Sequence, residues 1–148
     1  MEAEHITQSE ARAAVERLYA AFAQKDVNLL RQAVTSDWEY LPEPAGFEAG
    51  PDQMIPIFAE MAAALPDMRI EILDMLTQDN RVGVRAEVSG TQSGPLMGIA
   101  ATSKPVRFAI HSFHEIRDDR VSKTWHLEDW LSVFRQIGEV PRDIGSDA

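Results

Sequence analysis

One stretch constrains the fold more than any other: Lys104–Gly138, which reads K-P-V-R-F-A-I-H-S-F-H-E-I-R-D-D-R-V-S-K-T-W-H-L-E-D-W-L-S-V-F-R-Q-I-G. Two β-rich runs, Val106–Ile116 and Val121–Asp129, flank a polar Arg117-Asp118-Asp119-Arg120 segment, which predicts a hairpin. Leu131, Phe134 and Ile137 then recur at helical spacing, and Gly138 marks the stop. Three of the four histidines and two of the three tryptophans lie in this stretch, so chemistry is expected here.

A two-residue turn at Asp118-Asp119 sets a definite register. It pairs Arg117 with Arg120, Ile116 with Val121, Ser112 with Trp125, Ile110 with Leu127 and Phe108 with Asp129. His114, Lys123 and Asp129 then share the apolar face, and Asp129 points to the buried side beside Phe108 and Trp125. His111 pairs with His126, and Ala109 with Glu128, on the opposite face. A slip of one residue reverses every one of these assignments.

Upstream, Ser9 can cap a helix from Glu10 to about Gln24, with Val15, Leu18, Tyr19 and Phe22 along one side. Asp26 caps a second helix striped by Leu29, Leu30, Ala33 and Val34. Trp38 to Leu41 reads as a short strand ended by Pro42 and Pro44, and Gly46 to Gly50 as loop. Pro51 suits the first turn of a third helix bearing Met54, Ile57, Phe58, Met61 and Leu65. Strands follow from Met68 to about Leu76 and from Arg81 to about Ser89, around a turn at Gln78-Asp79-Asn80. The long connection Gly90–Ser103 has the length of a functional lid, and the acidic tail after Pro141 is expected to fray.

Helices first and antiparallel hairpins afterwards give the α+β class: a curved sheet wrapped over three helices and leaving a cone-shaped pocket. At 148 residues the chain is a single domain, with an ordered core over about 8–138 and a tail at 139–148. A net charge of −10 argues against nucleic acid and anionic membrane surfaces as partners, because both need a basic footprint. The absence of cysteine excludes disulfides, thiolate nucleophiles and thiolate metal sites. Neither a signal-like start nor a run of about 20 apolar residues is found, so the expected location is cytoplasmic.

The segment D-R-V-S-K-T-W-H-L-E-D-W-L-S-V-F-R-Q-I-G resembles the C-terminal signature of SnoaL-like polyketide cyclases, also called ester cyclases. The preceding G-P-L-M-G-I-A-A-T-S-K-P-V is similar to the Gly-rich connection of that family. The resemblance implies the nuclear-transport-factor-2-like α+β barrel, a homodimer or higher oligomer, and no metal or coenzyme. It also implies ring closure by intramolecular aldol condensation on a small apolar or aromatic carbonyl substrate, with Asp129 matching the pocket acid/base of the family's W-x-x-x-D motif. The chain departs from the pattern at Trp38-Glu39-Tyr40, where the family often carries a histidine, at Asp118-Asp119 and at Ala101-Thr102-Ser103.

A carboxylate in an apolar pocket has its pKa raised by desolvation, which suits acid/base work. The competing reading of Asp129 is a cap on the terminal helix, which would lower its pKa. His114 is the second catalytic candidate, as proton donor or substrate ligand. Trp125, Phe108, Ser112, Tyr40, Tyr19 and Trp38 are the candidate substrate-binding residues. His111 and His126 resemble a metal-ligand pair with Glu128 nearby, but their face directs them to a dimer interface through the sheet, so no metal is expected. Two function classes remain open: an acid/base enzyme (cyclase, or dehydratase, isomerase or epoxide hydrolase), and a binding module that holds an apolar ligand or a protein tail.

Overall fold

The structure, a computed structural model, describes residues 6–42 and 48–142. The strand-ending Pro44, the first part of the Gly46–Gly50 loop and the end of the acidic tail lie outside the described residues.

The first helix, α1 (Gln8–Gln24), starts two residues earlier than the sequence suggests, because Thr7 rather than Ser9 caps it: Thr7 Oγ1 accepts the Glu10 N–H at 3.1 Å. Ala11, Ala14, Val15 and Leu18 form its buried stripe. Lys25 closes α1 in the left-handed conformation (φ 54°, ψ 44°), and Asp26 at once caps α2 (Val27–Ala33) through the Asn28 and Leu29 N–H groups. Val34 is extended and opens β1 (Val34–Leu41), which is longer than the Trp38–Leu41 strand expected. A 3-10 turn over Pro51–Met54 leads into α3 (Ile55–Ala64).

The remaining strands are β2 (Arg69–Gln78), β3 (Arg81–Thr91), β4 (Pro105–Arg117) and β5 (Arg120–Glu128), followed by α4 (Trp130–Ile137). They form a five-stranded sheet in the order β1-β5-β4-β3-β2. Every pairing is antiparallel except β1 with β5, which is parallel. The class is α+β, as the patterning predicts. One core cluster joins α1, α2, β1 and the near half of β3, β4 and β5 around Val15, Leu30 and Trp38. A second joins α4 to the far half of β3 and β4 through Val88, Phe108, Val133 and Ile137.

The final hairpin corrects the expected register. Asp118 and Asp119 both take positive φ (53° and 64°), so the turn is the primed type that matches strand twist. Arg117 faces Arg120 and Ile116 faces Val121, as expected. Then the ladder shifts: Glu115 faces Lys123, leaving Ser122 as an extra residue on β5. The Ser122 hydroxyl donates to the Glu115 carbonyl at 3.1 Å and holds the bulge. Every pair beyond it moves by one. Ser112 faces His126, Phe113 faces Trp125, His111 faces Leu127 and Ile110 faces Glu128. Thr124, His126 and Glu128 therefore point inward, while Trp125 and Leu127 point outward.

The connection between β3 and β4 is tied down. Gln92, fully buried, donates through Nε2 to the Ile99 and Ala100 carbonyls (both 3.1 Å) and accepts the Thr102 hydroxyl at 2.6 Å. Leu96 and Ile99 pack into the second core, so this segment does not line the pocket as a lid would. Among the described residues no helix is long and apolar enough to cross a membrane.

Candidate functional site

The concave face of the sheet, α1 and α3 enclose a cavity with about 800 Å³ of space free of protein atoms, part of it open to solvent. Its apolar wall comes from α1, α3 and the far half of the sheet, with Phe22, Phe58, Met61, Met68, Phe108 and Trp130 prominent. Phe108 and Trp130 pack with ring centres 5.0 Å apart. Apart from Lys25, in the link between α1 and α2, the polar groups sit on a single stripe where β4 and β5 run side by side: Ser112 and His114 from β4; Thr124, His126 and Glu128 from β5. Two tyrosines reach this stripe, Tyr19 from α1 and Tyr40 from β1.

Around His114 the stripe forms a closed chain of hydrogen bonds. Trp38 Nε1, which can only donate, gives its proton to Thr124 Oγ1 at 3.1 Å. His114 Nδ1 lies 2.9 Å from that same oxygen, and His114 Nε2 lies 3.1 Å from the Tyr19 oxygen. The direction that gives the Thr124 proton an acceptor sends it to Nδ1 and leaves the imidazole proton on Nε2, donated to Tyr19. With the His114 Nε2 proton on its oxygen, Tyr19 is free to direct its own proton into the cavity. His114 is 1% exposed, and burial pushes its pKa down to about 3, so the ring is neutral at ordinary pH. Burial likewise raises the Tyr19 phenol far above its usual value, and it stays protonated.

The second cluster holds the carboxylate. Glu128 Oε1 accepts from His126 Nδ1 at 2.7 Å and from the Tyr40 hydroxyl at 3.2 Å. Tyr40 stacks flat on His126, with ring centres 3.7 Å apart and planes within 4°. His126 Nε2 lies 3.3 Å from the Pro42 carbonyl, so both ring nitrogens face oxygen acceptors and the ring is fixed in place. Burial and the adjacent Glu128 charge raise the Tyr40 phenol well above its usual value.

Of the residues singled out in the sequence, His114, Ser112, Phe108, Tyr19 and Tyr40 line the cavity. Trp38 does not; it is fully buried in the core behind the cavity, where it fixes Thr124. Trp125 lies on the outer sheet face, with Arg81 at 5.8 Å and Lys123 at 5.4 Å from its ring centre. Asp129 is also outside. It caps α4: Oδ1 accepts the Ser132 N–H at 3.1 Å, and Oδ2 takes the Ser132 hydroxyl. These two bonds, the hydroxyl first, hold its carboxyl below the usual range, opposite in sign to the shift expected of a buried base. His111 is exposed on the outer face and faces Leu127, while His126, its expected partner, faces the cavity. Among the described residues no group of three or more His, Asp or Glu side chains is placed to hold a metal.

Glu128, His126, Thr124 and Trp130 enter the site unannounced by the sequence patterning. One residue of bulge separates the two assignments. The available signal was the helix cap: an aspartate spent on Ser132 leaves its chain neighbour Glu128 as the last side chain of β5.

A family model described as SnoaL-like polyketide cyclase matches residues 12–137. No curated protein matches the chain by sequence. Solved structures show the same fold at low identity. TsrD from Streptomyces laurentii superposes with a TM-score of 0.82 at 23% identity, over 91% of this chain and 99% of its own. A candidate polyketide cyclase from Bacillus cereus gives 0.77 at 24%, over 91% and 87%. A protein of ketosteroid isomerase-like fold from Catenulispora acidiphila gives 0.70 at 18%, over 86% and 94%.

Proposed function

The chain belongs to the SnoaL-like polyketide cyclase family, and on that premise we propose that it is an acid/base enzyme acting on a small apolar carbonyl compound, with Glu128 as the carboxylate in place of Asp129. The observation that carries this reading is a carboxylate fixed by two donors, Tyr40 and His126, on the wall of a largely apolar cavity. In an aldol-type closure, Glu128 takes a proton α to one carbonyl. The enolate oxygen accepts a hydrogen bond from the Tyr19 hydroxyl, whose orientation is set by His114. The enolate carbon then bonds to the second carbonyl carbon, and the Glu128 carboxyl returns its proton to the new alkoxide. Each step uses only side chains of this chain.

The first half of that sequence can be read without the natural substrate. In D2O the protein should speed exchange of the α-protons of 2-tetralone, an apolar cyclic ketone, followed by NMR. Glu128→Gln should lower that rate by about 100-fold or more, while leaving the affinity for the ketone within about twofold. Asp129→Asn should leave exchange nearly unchanged, since asparagine still caps α4. Equal exchange by wild type and Glu128→Gln would remove Glu128 as base, and binding without any exchange would favour the binding-module reading.

We also propose a homodimer through the outer sheet face. His126 faces the cavity instead, but His111 lies on that face, where Phe113 (66% exposed), Leu127 (72%) and Trp125 leave an apolar patch. Charged side chains, among them Arg107 with Glu87 and Arg85 with Asp74, surround it. Light scattering should give twice the chain mass, and Leu127→Lys should give the single-chain mass with the fold intact. A monomeric wild type at high micromolar concentration would end this proposal.

A further inference from the structure

We infer that Lys25 is an anion-recognition residue of the cavity and that the substrate is an apolar compound carrying a carboxylate or equivalent anion. This deepens the reading of the cavity as a substrate site and rests on it.

Among the described residues lining the cavity, Lys25 is the only lysine or arginine. It stands on the helical wall, in the two-residue link between α1 and α2, and shares that wall with Phe22, Phe58 and Met61. An ammonium has three protons to donate. One goes to the Leu65 carbonyl at 3.3 Å, and among the described residues no carboxylate oxygen lies within 4.0 Å of the group. Asp67 is near enough to feel its charge, but its Oδ1 accepts the Thr91 N–H at 2.8 Å and neither oxygen comes within 4.0 Å of the ammonium. The cation is therefore half-buried with donors to spare.

Its backbone fixes where that side chain starts. Lys25 occupies the left-handed position that closes α1, with its N–H on the Ala21 and Phe22 carbonyls. That position favours glycine or asparagine, because a Cβ there meets the following carbonyl. Asp79, Met97, Ser103, Asp118 and Asp119 also take positive φ, but of these six only Lys25 lines the cavity.

The charge layout also orients a ligand. The β5 wall presents the Glu128 carboxylate, which repels an anion, whereas the helical wall presents Lys25. In a chain of net charge −10, Lys25 is the one lysine or arginine among the described lining residues to attract a carboxylate. An anionic group held there leaves the apolar body against Phe108 and Trp130 and turns the uncharged, reacting end toward Glu128.

The test uses a matched pair of probes, 2-naphthoate and its uncharged methyl ester, titrated against the full chain by calorimetry. Wild type should bind the acid at least about tenfold more tightly than the ester, with the preference shrinking as salt rises to about 0.5 M. Lys25→Met should erase the preference and leave the ester affinity as it was, and Lys25→Arg should retain it. Lys25→Gly should erase the preference while raising Tm, because glycine suits φ 54°. Equal affinities in wild type, no binding of either probe, or an acid preference that survives Lys25→Met would overturn the inference. So would a lowered Tm in Lys25→Gly with the preference intact, which would make Lys25 only a tie to the end of α3. Glu128→Gln should keep the acid preference, so a failure of Glu128 as base reads out separately in ketone exchange.

Discussion

Lowering the pH from 6.5 to 3 is expected to remove roughly 5 kcal/mol of folding stability through His114 alone. In the unfolded chain its imidazole takes up a proton as the pH falls through about 6.5. In the fold the ring is 1% exposed and committed to Thr124 and Tyr19, and it stays neutral down to about 3. Across this window the unfolded state holds one more proton, so stability falls by about 1.4 kcal/mol for each unit of acidification; above 6.5 the effect vanishes. Asp129 acts in the same direction lower down, because its depressed carboxyl contributes stability above the unfolded value that is lost as the folded group protonates. Urea titrations of wild type and His114→Gln at steps from pH 7.5 to 4.5 isolate the histidine, since the carboxylates common to both cancel. The variant should be less stable at pH 7.5 by about 1–3 kcal/mol, having left Thr124 short of a partner. Its curve should then decline less steeply, by close to one proton per molecule. Parallel curves would refute the buried neutral ring.

Deleting Ser122 should be far milder than the loss of a strand residue usually is. Lys123 then follows Val121 directly and still faces Glu115, so Thr124, His126 and Glu128 keep their partners and their inward direction. Trp38 keeps Thr124, and Tyr40 keeps Glu128. The deletion gives up the local bend of the bulge and the Ser122 bond to the Glu115 carbonyl, at a cost of about 1–3 kcal/mol. Circular dichroism should show one cooperative thermal transition, lowered by about 3–12 °C, and ketone exchange should persist. Ser122→Ala keeps the extra residue and gives up only the bond to the Glu115 carbonyl, so it should cost about 1 kcal/mol and keep the cavity. A deletion variant with no cooperative transition, or a folded one without ketone exchange, would show that the pairing alone does not set the inner face.

The same residue explains where the sequence could be read and where it could not. Helix stripes depend on several residues at once, so Val15, Leu18 and Tyr19 announce α1, and an error at the Thr7 cap changes little. The turn at Asp118 and Asp119 was equally legible, as were the first pairs beside it. Beyond Ser122 the alternation loses its meaning. Lys123-Trp125-Leu127 and Thr124-His126-Glu128 each mix polar with apolar, so neither set declares itself the inner one. Partners far along the chain decide the matter: Trp38 for Thr124 and Tyr40 for Glu128. His114, Ser112 and Phe108 lie on β4, which has no bulge, and their inward placement was legible. Asp129 was ambiguous from the start, because an aspartate before a helical stripe answers to the unpaired N–H groups of that helix as readily as to a pocket.

The parallel pairing of β1 with β5 has a consequence in time as well as in space. The bonds that close the site, Trp38 to Thr124 and Tyr40 to Glu128, span 86 and 88 residues. At roughly 5–20 residues per second, a ribosome takes about 4–18 s to travel from one partner to the other. Through that interval the nascent chain carries the indole of Trp38 and the phenol of Tyr40 on a strand whose neighbour has not yet been made. Since β5 and α4 follow every other described element, the cavity is completed only after both have emerged, and until then the β1 edge that β5 will cover stays unpaired.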